Sequence, residues 1–152
     1  MTKDGYASLR KGRVSIQNQI YHITAVTLDR QPLFNDFYLA RSLIHAFKRQ
    51  SNQANTLAFV VMPDHFHWLI QLETESADIS QLVLSVKTIT ARYYATKWGS
   101  KKIWQRGFYD HAIRKEEDIV SVARYIVANP VRAGISSSVR TIATGMRFGW
   151  IE

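Results

Sequence analysis

Hydrophobic and polar positions divide the chain into alternating strands and helices. Runs rich in β-branched and aromatic residues predict strands at 21–28, 56–62, 65–72 and 107–114. Apolar positions at helical spacing predict helices that begin after Asp36, after Asp78 and at Glu116. The order β-α-β-β-α-β-α predicts an α+β fold of the ferredoxin-like (RRM-like) type, a βαββαβ antiparallel sheet with an additional C-terminal helix. The first two helices would cover one face of the sheet, and we expect the other face to be open.

Length and composition predict one globular domain over 1–152. The chain has 152 residues, of which 46% are hydrophobic and 21% charged, so it can bury a core. We place the core at about 20–135, an N-terminal arm at 1–19 and a short tail at 136–152. The absence of cysteine excludes disulfides, thiolate metal sites and a cysteine nucleophile. Neither a membrane-spanning apolar run nor a secretory signal is found, so we expect a cytoplasmic protein.

Positive charge is concentrated in one quarter of the chain. The formal net charge is +8, and residues 79–115 hold eight Lys and Arg residues against one acid, Asp110. Six aromatic residues lie among these cations. Cations neutralise phosphates and aromatic rings stack on unpaired bases, so the segment favours a nucleic-acid partner. The alternative is a solvated helix face followed by an ordinary core strand.

The sequence His65-Phe66-His67 lies on a predicted strand. Side chains alternate across a strand, so His65 and His67 share one face with Leu69. Two imidazoles at i and i+2 can reach one cation, and histidine is the commonest transition-metal ligand. A pair of surface histidines is the alternative. Because two ligands are too few, we expect a carboxylate or an amide to complete a metal site.

The last predicted helix carries Tyr125 and Asn129 on one face, at i and i+4. They lie on the flank of its apolar stripe, at the border between core and water. An amide oxygen there could complete a metal site, with the phenol one turn away. Alternatively, Tyr125 is a boundary aromatic and Asn129 a residue that ends the helix before Pro130.

Three segments resemble a known family. They are VVMPDHFHWLI (60–70), KKIWQRGFYDHAIR (101–114) and YIVANPVRAGI (125–135). Together they resemble the single-tyrosine HUH transposases, and among these the REP-associated tyrosine transposases, over about 21–135. The resemblance implies a ferredoxin-like core, His65 and His67 as metal ligands, Tyr125 as the nucleophile and Asn129 as an amide ligand. Two departures are Asp64, where relatives often have Asn or Glu, and a tail after 136 that matches nothing.

The resemblance also implies a reaction and a partner. A divalent ion, Mg²⁺ or Mn²⁺, would assist Tyr125 in cutting and rejoining single-stranded DNA at REP-like hairpins, through a 5′-phosphotyrosine intermediate. We expect a monomer rather than a homodimer, in a prokaryotic nucleoid. Trp104 and Tyr109 are candidates for stacking on bases, with core packing as the alternative. The candidate phosphate contacts are Lys87, Arg92, Lys101, Lys102, Arg106 and Arg114, with Arg13 in a basic arm that also holds Arg10 and Lys11.

Three other functions fit parts of the pattern. A non-catalytic nucleic-acid-binding module of RRM-like fold would use the same sheet, but it needs exposed aromatics where this chain has His65 and His67. A metal-dependent phosphoester hydrolase would use water as the nucleophile and would keep its activity without Tyr125. An inactive descendant of a transposase is the third, although all the motif residues are present.

Overall fold

The computed structural model describes residues 15–129 and the backbone of a strand at 147–150. The arm residues Arg10, Lys11 and Arg13 lie outside the described part of the chain. The order of strands and helices agrees with the order predicted from the sequence. The strands and helices are β1 (Ile20–Val26), α1 (Phe37–Lys48), β2 (Ala54–Met62), β3 (His65–Leu72), α2 (Ile79–Trp98), β4 (Tyr109–Ile113), α3 (Glu116–Val127) and β5 (Arg147–Trp150).

The strands form one antiparallel sheet in the order β4-β1-β3-β2-β5. Its first four strands have the ferredoxin-like arrangement, which confirms the predicted fold class. β1 and β3 are therefore central strands, with hydrogen-bonded neighbours on both sides. β5 was not predicted, because the tail after 136 has no clear pattern; its backbone pairs with residues 58–61 of β2.

Capping groups define the limits of the two long helices. The Asp36 carboxylate accepts a hydrogen bond from the Leu39 N–H at 2.9 Å at the start of α1. Asp78 caps α2 in the same way, through bonds from Ser80 N at 2.7 Å and from Gln81 N at 3.2 Å. Such caps satisfy N–H groups that have no partner inside a helix. Gly99 ends α2 with a φ of 84°, a conformation that glycine adopts without strain.

The main core lies between the sheet and the pair α1–α2. Phe47 of α1 stacks on Trp68 of β3, with ring centroids 4.7 Å apart. The Trp68 indole N–H donates to Thr56 Oγ1 at 2.9 Å, so the one polar atom of this buried ring has a partner. Phe66, Trp68 and Ile70 are all fully buried. Because these side chains fix β3 from one face, His65 and His67 are held toward the other.

The second face of the sheet is half covered, so the prediction of an open face is wrong over β2 and β3. There α3 packs on the sheet through a second apolar cluster. The reason lies in β2, whose apolar side chains alternate between the two cores and therefore require cover on both faces. Over β1 and β4 the face is more open, and Tyr109 and His111 are exposed. The second cluster contains Ala58, Val60, Met62, Leu69, Ile113, Ala123 and Ile126.

Candidate functional site

Strand register brings polar residues from three strands together on the face that carries α3. Thr24 of β1 lies opposite His67 of β3, and Val26 lies opposite His65. On the other side of β1, Tyr109 of β4 lies opposite Thr24. Residues opposite one another in antiparallel strands point to the same face. The rings of His65 and His67 are 5.0 Å apart and nearly perpendicular, at 87°.

Asp64 orients His65. Its carboxylate lies 2.7 Å from His65 Nδ1, and its other oxygen lies 3.2 Å from an Arg30 guanidinium nitrogen. Burial alone would raise the pKa of Asp64, but the hydrogen bond from His65 and the adjacent Arg30 outweigh burial and lower it. Asp64 therefore stays ionised near neutral pH. With Nδ1 engaged, His65 presents Nε2 to the site.

His67 is held by two side chains of β1. Its Nδ1 lies 2.9 Å from His22 Nε2 and 2.9 Å from Thr24 Oγ1. Burial, and then the neighbouring His111, lower the pKa of His22 to about 4. His22 is therefore neutral at pH 7 and can take part in this bond as an uncharged imidazole. The ring of His67 is 9% exposed, so its orientation is fixed by contacts on several sides.

Two exposed tyrosines flank His67. The Tyr125 ring from α3 lies 6.2 Å from the His67 ring, edge to face, and the residue is 50% exposed. Tyr109, from β4, is 48% exposed and belongs to the same cross-strand row as His67. The last turn of α3 therefore brings a solvent-accessible phenol against the histidine pair. Tyr109 places a second phenol on the same face of the sheet, two strands away from His67.

Asn129 follows Tyr125 by one helical turn, because Ala128 keeps helical backbone angles. It is 9% exposed, and its amide Nδ2 is buried without a hydrogen-bond partner among the described residues. A buried amide nitrogen without a partner is unfavourable. Rotation of the amide by 180° exchanges its nitrogen and its oxygen, so the same position can present an oxygen. In the described part of the chain, no third histidine or carboxylate joins His65 and His67 in a cluster of metal-site size. Among the described residues, an amide such as Asn129 is therefore the remaining candidate for a third protein ligand.

A cleft of about 530 Å³ opens between β4 and α3. Its walls are residues 111–115 on one side and the Asp118, Ser121 and Val122 side of α3 on the other. Tyr125 lies one turn beyond Ser121, on the same side of the helix. The cleft therefore leads along the sheet edge toward Tyr125, and Arg114 is among its cations.

Sequence comparison gives the family. Residues 15–129 match the family described as "Transposase IS200 like". The chain belongs to this family of transposases. It is 28% identical to a Haemophilus influenzae protein assigned as a REP-associated tyrosine transposase, over 80% of this chain and 75% of that protein. It is also 35% identical to the REP-associated tyrosine transposase of Escherichia coli K12, over 51% of this chain and 44% of that protein.

Comparison with solved structures agrees with the assignment of the chain to the IS200-like transposases. A REP-associated tyrosine transposase bound to a REP hairpin superposes with a TM-score of 0.72 at 28% identity, covering 84% of this chain and 75% of that one. A protein of Deinococcus radiodurans assigned as a transposase has a TM-score of 0.53 at 21% identity, over 77% and 95% of the two chains, and supports the fold alone. The resemblance inferred from the motifs is thereby confirmed.

Two of the predicted DNA contacts in the transposase have internal partners instead. The Lys87 ammonium donates to the Gln105 carbonyl at 3.0 Å and to the Gly107 carbonyl at 2.6 Å, so it fastens the segment before β4. Trp104 is 6% exposed, packs on Phe34 and Phe66, and donates its indole N–H to the Lys87 carbonyl at 3.2 Å. Core packing, the alternative raised for Trp104, is what the structure shows.

The other predicted phosphate contacts of the transposase are exposed but do not share one surface. Arg92 lies on α2, on the far side of the sheet from Tyr125. Lys101, Lys102 and Arg106 lie in the segment between α2 and β4. Arg114 alone lines the cleft beside α3. Arg13 lies outside the described residues.

Sequence analysis missed three polar residues around the histidines of the transposase. His22 and Thr24 alternate with buried apolar residues on β1, and this i, i+2 spacing was the available signal. Their relation to His67 depends on strand register, which local pattern does not determine. The sequence analysis singled out Asp64 only as a departure from the Asn or Glu that relatives often have at this position. The position of Asp64 directly before His65 was the available signal that its carboxylate orients this histidine.

No helix among the described residues is both long and apolar enough to cross a membrane.

Proposed function

We propose that this transposase cuts and rejoins single-stranded DNA at REP-like hairpins, by metal-assisted attack of Tyr125. One observation carries the proposal. The exposed phenol ring of Tyr125 lies 6.2 Å from His67, over the strand face on which two histidines stand side by side. A nucleophile beside a pair of potential metal ligands suits metal-assisted phosphoryl transfer.

The residues present fit a divalent cation. His65 and His67 would bind it through Nε2, since each Nδ1 already has partners, and the buried amide of Asn129 would supply an oxygen. Two imidazoles and one amide suit Mn²⁺ better than Mg²⁺, which prefers oxygen ligands. When bound, the ion would withdraw charge from the scissile phosphate and orient it for in-line attack.

Hydrogen bonds around the histidines would set their protonation. A neutral imidazole that binds a metal through Nε2 carries its proton on Nδ1 and donates from there. Asp64 would accept this bond from His65, and Thr24 or the neutral His22 would accept it from His67. The chain thus holds both rings in the tautomer that leaves Nε2 for the metal.

The covalent step takes place at the Tyr125 oxygen. Its bond to phosphorus forms while the bond from phosphorus to the 3′-oxygen breaks, which yields a 5′-phosphotyrosine and a 3′-hydroxyl. The phenol proton must be removed by a base, and the 3′-oxygen gains a proton. Because the phosphotyrosine keeps the energy of the original diester, a 3′-hydroxyl can reverse the step and reseal a strand without ATP.

The DNA would enter along the cleft between β4 and α3. A similar transposase has been solved with a REP hairpin bound, which supports a hairpin substrate for this chain. Arg114 in the cleft can pair with phosphate, and Tyr109 can stack on an unpaired base near His67. An RRM-like binding module fits less well, because α3 covers β2 and β3 where such a module needs an open platform.

His65, His67, Tyr125 and Asn129 all come from one chain. We therefore propose a monomeric enzyme, since no residue of this set has to be supplied by a second copy. Light scattering combined with size-exclusion chromatography tests this point. A stable dimer at micromolar concentration would contradict it.

A denaturing gel tests the chemistry. The protein is incubated with labelled single-stranded REP-like hairpins in Mn²⁺ or in EDTA, and a covalent protein–DNA band is sought. We expect the band only with Mn²⁺, and we expect Tyr125→Phe, His65→Ala and His67→Ala each to abolish it. Tyr109→Phe is the matched control, because this tyrosine has almost the same exposure and lies in the same cross-strand row as His67, two strands away.

The outcomes separate the candidate functions. A band that survives Tyr125→Phe and disappears in Tyr109→Phe would move the nucleophile to β4. Release of hydrolysed strand without any covalent band would indicate attack by water. Tight hairpin binding without a band in either condition would favour the non-catalytic module.

A further inference from the structure

An exposed cluster of rings and lysines lies at one end of the pair α1–α2. The Lys97 ammonium lies 4.6 Å from the centroid of the Tyr38 ring, 5.4 Å from that of Tyr93 and 5.8 Å from that of Trp98. Lys101 lies 5.5 Å over the buried ring of Tyr94, against which Trp98 also packs. We call Tyr38, Tyr93, Lys97, Trp98 and Lys101 the ring–lysine cluster.

Two of the three rings of this cluster are exposed to solvent, and the third, Tyr93, is partly buried. Tyr38 is 59% exposed and Trp98 is 46% exposed, values that are high for large aromatic side chains. They do not contribute to the catalytic face, because α1 and α2 pack on the opposite side of the sheet from α3. Neither the core nor the proposed chemistry accounts for their exposure.

The charge around the cluster is mainly positive. Neither α1 nor α2 contains an aspartate or glutamate. Asp36, next to α1, is held as the cap on the Leu39 N–H. Arg41 adds a further exposed cation one turn after Tyr38. Cations among exposed rings, on two helices that carry no carboxylate, are complementary to single-stranded nucleic acid, where phosphates meet the cations and bases stack on the rings.

The cluster lies at the same end of the sheet as His65. The segment before α1 is tied to the turn between β2 and β3 by the bond from Phe34 N–H to the Pro63 carbonyl, at 2.9 Å. The segment after α2 is tied to the end of β1 by the bond from Leu28 N–H to the Ile103 carbonyl, at 2.8 Å. A strand that leaves the histidine face at this end of the sheet would therefore meet the cluster on the other side.

We propose that the ring–lysine cluster binds unpaired DNA that flanks the cleavage point, on the face opposite Tyr125. This inference rests on the proposed function, since it assigns the surface to the same substrate. Trp98 and Tyr38 stack on bases, and Lys97 and Lys101 pair with phosphates. The surface reads no sequence, because every base offers a stacking face and every nucleotide a phosphate.

Fluorescence anisotropy with a labelled oligothymidylate of about 16 nucleotides tests the inference, in a Tyr125→Phe background that prevents covalent capture. We expect Trp98→Ala to weaken binding by about fivefold or more, the loss typical of one stacked base. We expect Lys97→Ala/Lys101→Ala to reduce the slope of log K against log salt by about 1.4, or 0.7 for each lost phosphate contact. Trp98 emission should be quenched by the oligonucleotide.

Lys48→Ala/Arg49→Ala is the matched control, because it removes two exposed cations from the other end of α1. It should change affinity by less than about twofold if binding is confined to the cluster, since distant exposed charges are screened. Thermal unfolding confirms that each variant folds, and Trp98→Phe, which keeps a ring, should retain most of the affinity. Unchanged binding in both cluster variants, or an equal loss in the control, would overturn the proposal.

The covalent-band assay keeps this inference separate from the proposed chemistry. On a hairpin trimmed close to the cleavage point, the cluster variants in a chain that retains Tyr125 should form as much adduct as the unaltered chain. Absence of the adduct in the unaltered chain would count against the chemistry alone, because oligothymidylate binding is measured without it. Loss of the adduct from the cluster variants on the trimmed hairpin would show that the cluster supports the catalytic face, which overturns its assignment to flanking DNA.

Discussion

Removal of the Asp64 carboxylate tests how the proposed metal site is preorganised. Asp64 lies 2.7 Å from His65 Nδ1, and the two side chains are only 24% and 18% exposed, respectively. The short distance and partial burial make this a charge-assisted hydrogen bond of the stronger kind. Asp64→Ala would leave His65 without its acceptor and allow the ring to rotate or to change tautomer. Arg30, the other partner of Asp64, is 66% exposed and contributes little by comparison.

The expected magnitude follows from the role of such partners. Loss of the group that orients a metal-binding histidine typically weakens metal affinity by about 10- to 100-fold. That range corresponds to about 1.4–2.8 kcal/mol of binding free energy. Asp64→Asn should lie at the mild end, because its amide oxygen can still accept the bond from Nδ1 but without the negative charge. Arg30→Ala should leave the affinity unchanged within about twofold, because it leaves the bond to His65 in place.

Titration with Mn²⁺, followed by the electron paramagnetic resonance signal of the free ion, measures the dissociation constant without DNA and without turnover. The order of weakening should be Asp64→Ala, then Asp64→Asn, then Arg30→Ala. The reasoning is refuted if Asp64→Ala binds Mn²⁺ as tightly as the unaltered chain. It is also refuted if Arg30→Ala is as damaging as Asp64→Ala, because the bridge to Arg30 would then matter as much as the bond to His65.

Asn129→Ala should weaken Mn²⁺ binding while costing the metal-free protein less than about 1 kcal/mol in urea unfolding, because it removes a side chain whose buried Nδ2 lacks a partner among the described residues. A large loss of metal-free stability would contradict this. His22→Phe should weaken Mn²⁺ binding about tenfold, because it removes one partner of Nδ1 of His67, a proposed metal ligand. An unchanged dissociation constant would show that His22 does not orient His67 for the metal. Trp104→Ala should lower the unfolding free energy by about 3–5 kcal/mol, because the ring is buried. Lys87→Met should also lower the unfolding free energy, but it should leave the salt dependence of DNA binding unchanged. A smaller salt slope in Lys87→Met would identify Lys87 as a phosphate contact after all. The pKa of Asp64 is lowered in the folded state, so its carboxylate stabilises the fold at pH values above its ordinary pKa of 3.8. This stabilisation is lost as the pH falls from there through the lowered folded-state pKa. The difference in unfolding free energy between the unaltered chain and Asp64→Asn should therefore shrink between pH 6 and pH 3.

Local pattern was sufficient for the strands and helices up to the end of α3. The β3 strand was predicted at the residues where it occurs, because its alternation is strict and a turn at Pro63-Asp64 precedes it. The caps Asp36 and Asp78 were likewise readable, since a carboxylate before an apolar helical pattern has a local reason to be there. The position of Tyr125 on the flank of the α3 stripe also followed from helical spacing and agrees with its half exposure.

Longer-range relations were not readable from local pattern. The bond between His67 and His22 depends on the register of two strands that are 45 residues apart in sequence. The cover that α3 gives to β2 depends on where a helix docks, and β5 depends on pairing with a strand far away in the chain. Composition placed Lys87 and Arg92 in one basic segment. On α2, however, Lys87 bonds to carbonyl groups of the chain, whereas Arg92 is exposed to solvent.

The order in which the site residues occur along the chain has a consequence during synthesis. The strand β3, which carries the two histidines, pairs with β1, which is made before it, and the proposed nucleophile Tyr125 lies on α3, which is among the last described segments to be made. Synthesis proceeds from the N-terminus, and a domain generally folds as a unit. A growing chain therefore carries His65 and His67 for about 60 residues of elongation before Tyr125, the proposed nucleophile, is added. Under the proposed chemistry, translation cut short anywhere before α3 would yield a fragment that cannot attack DNA through Tyr125.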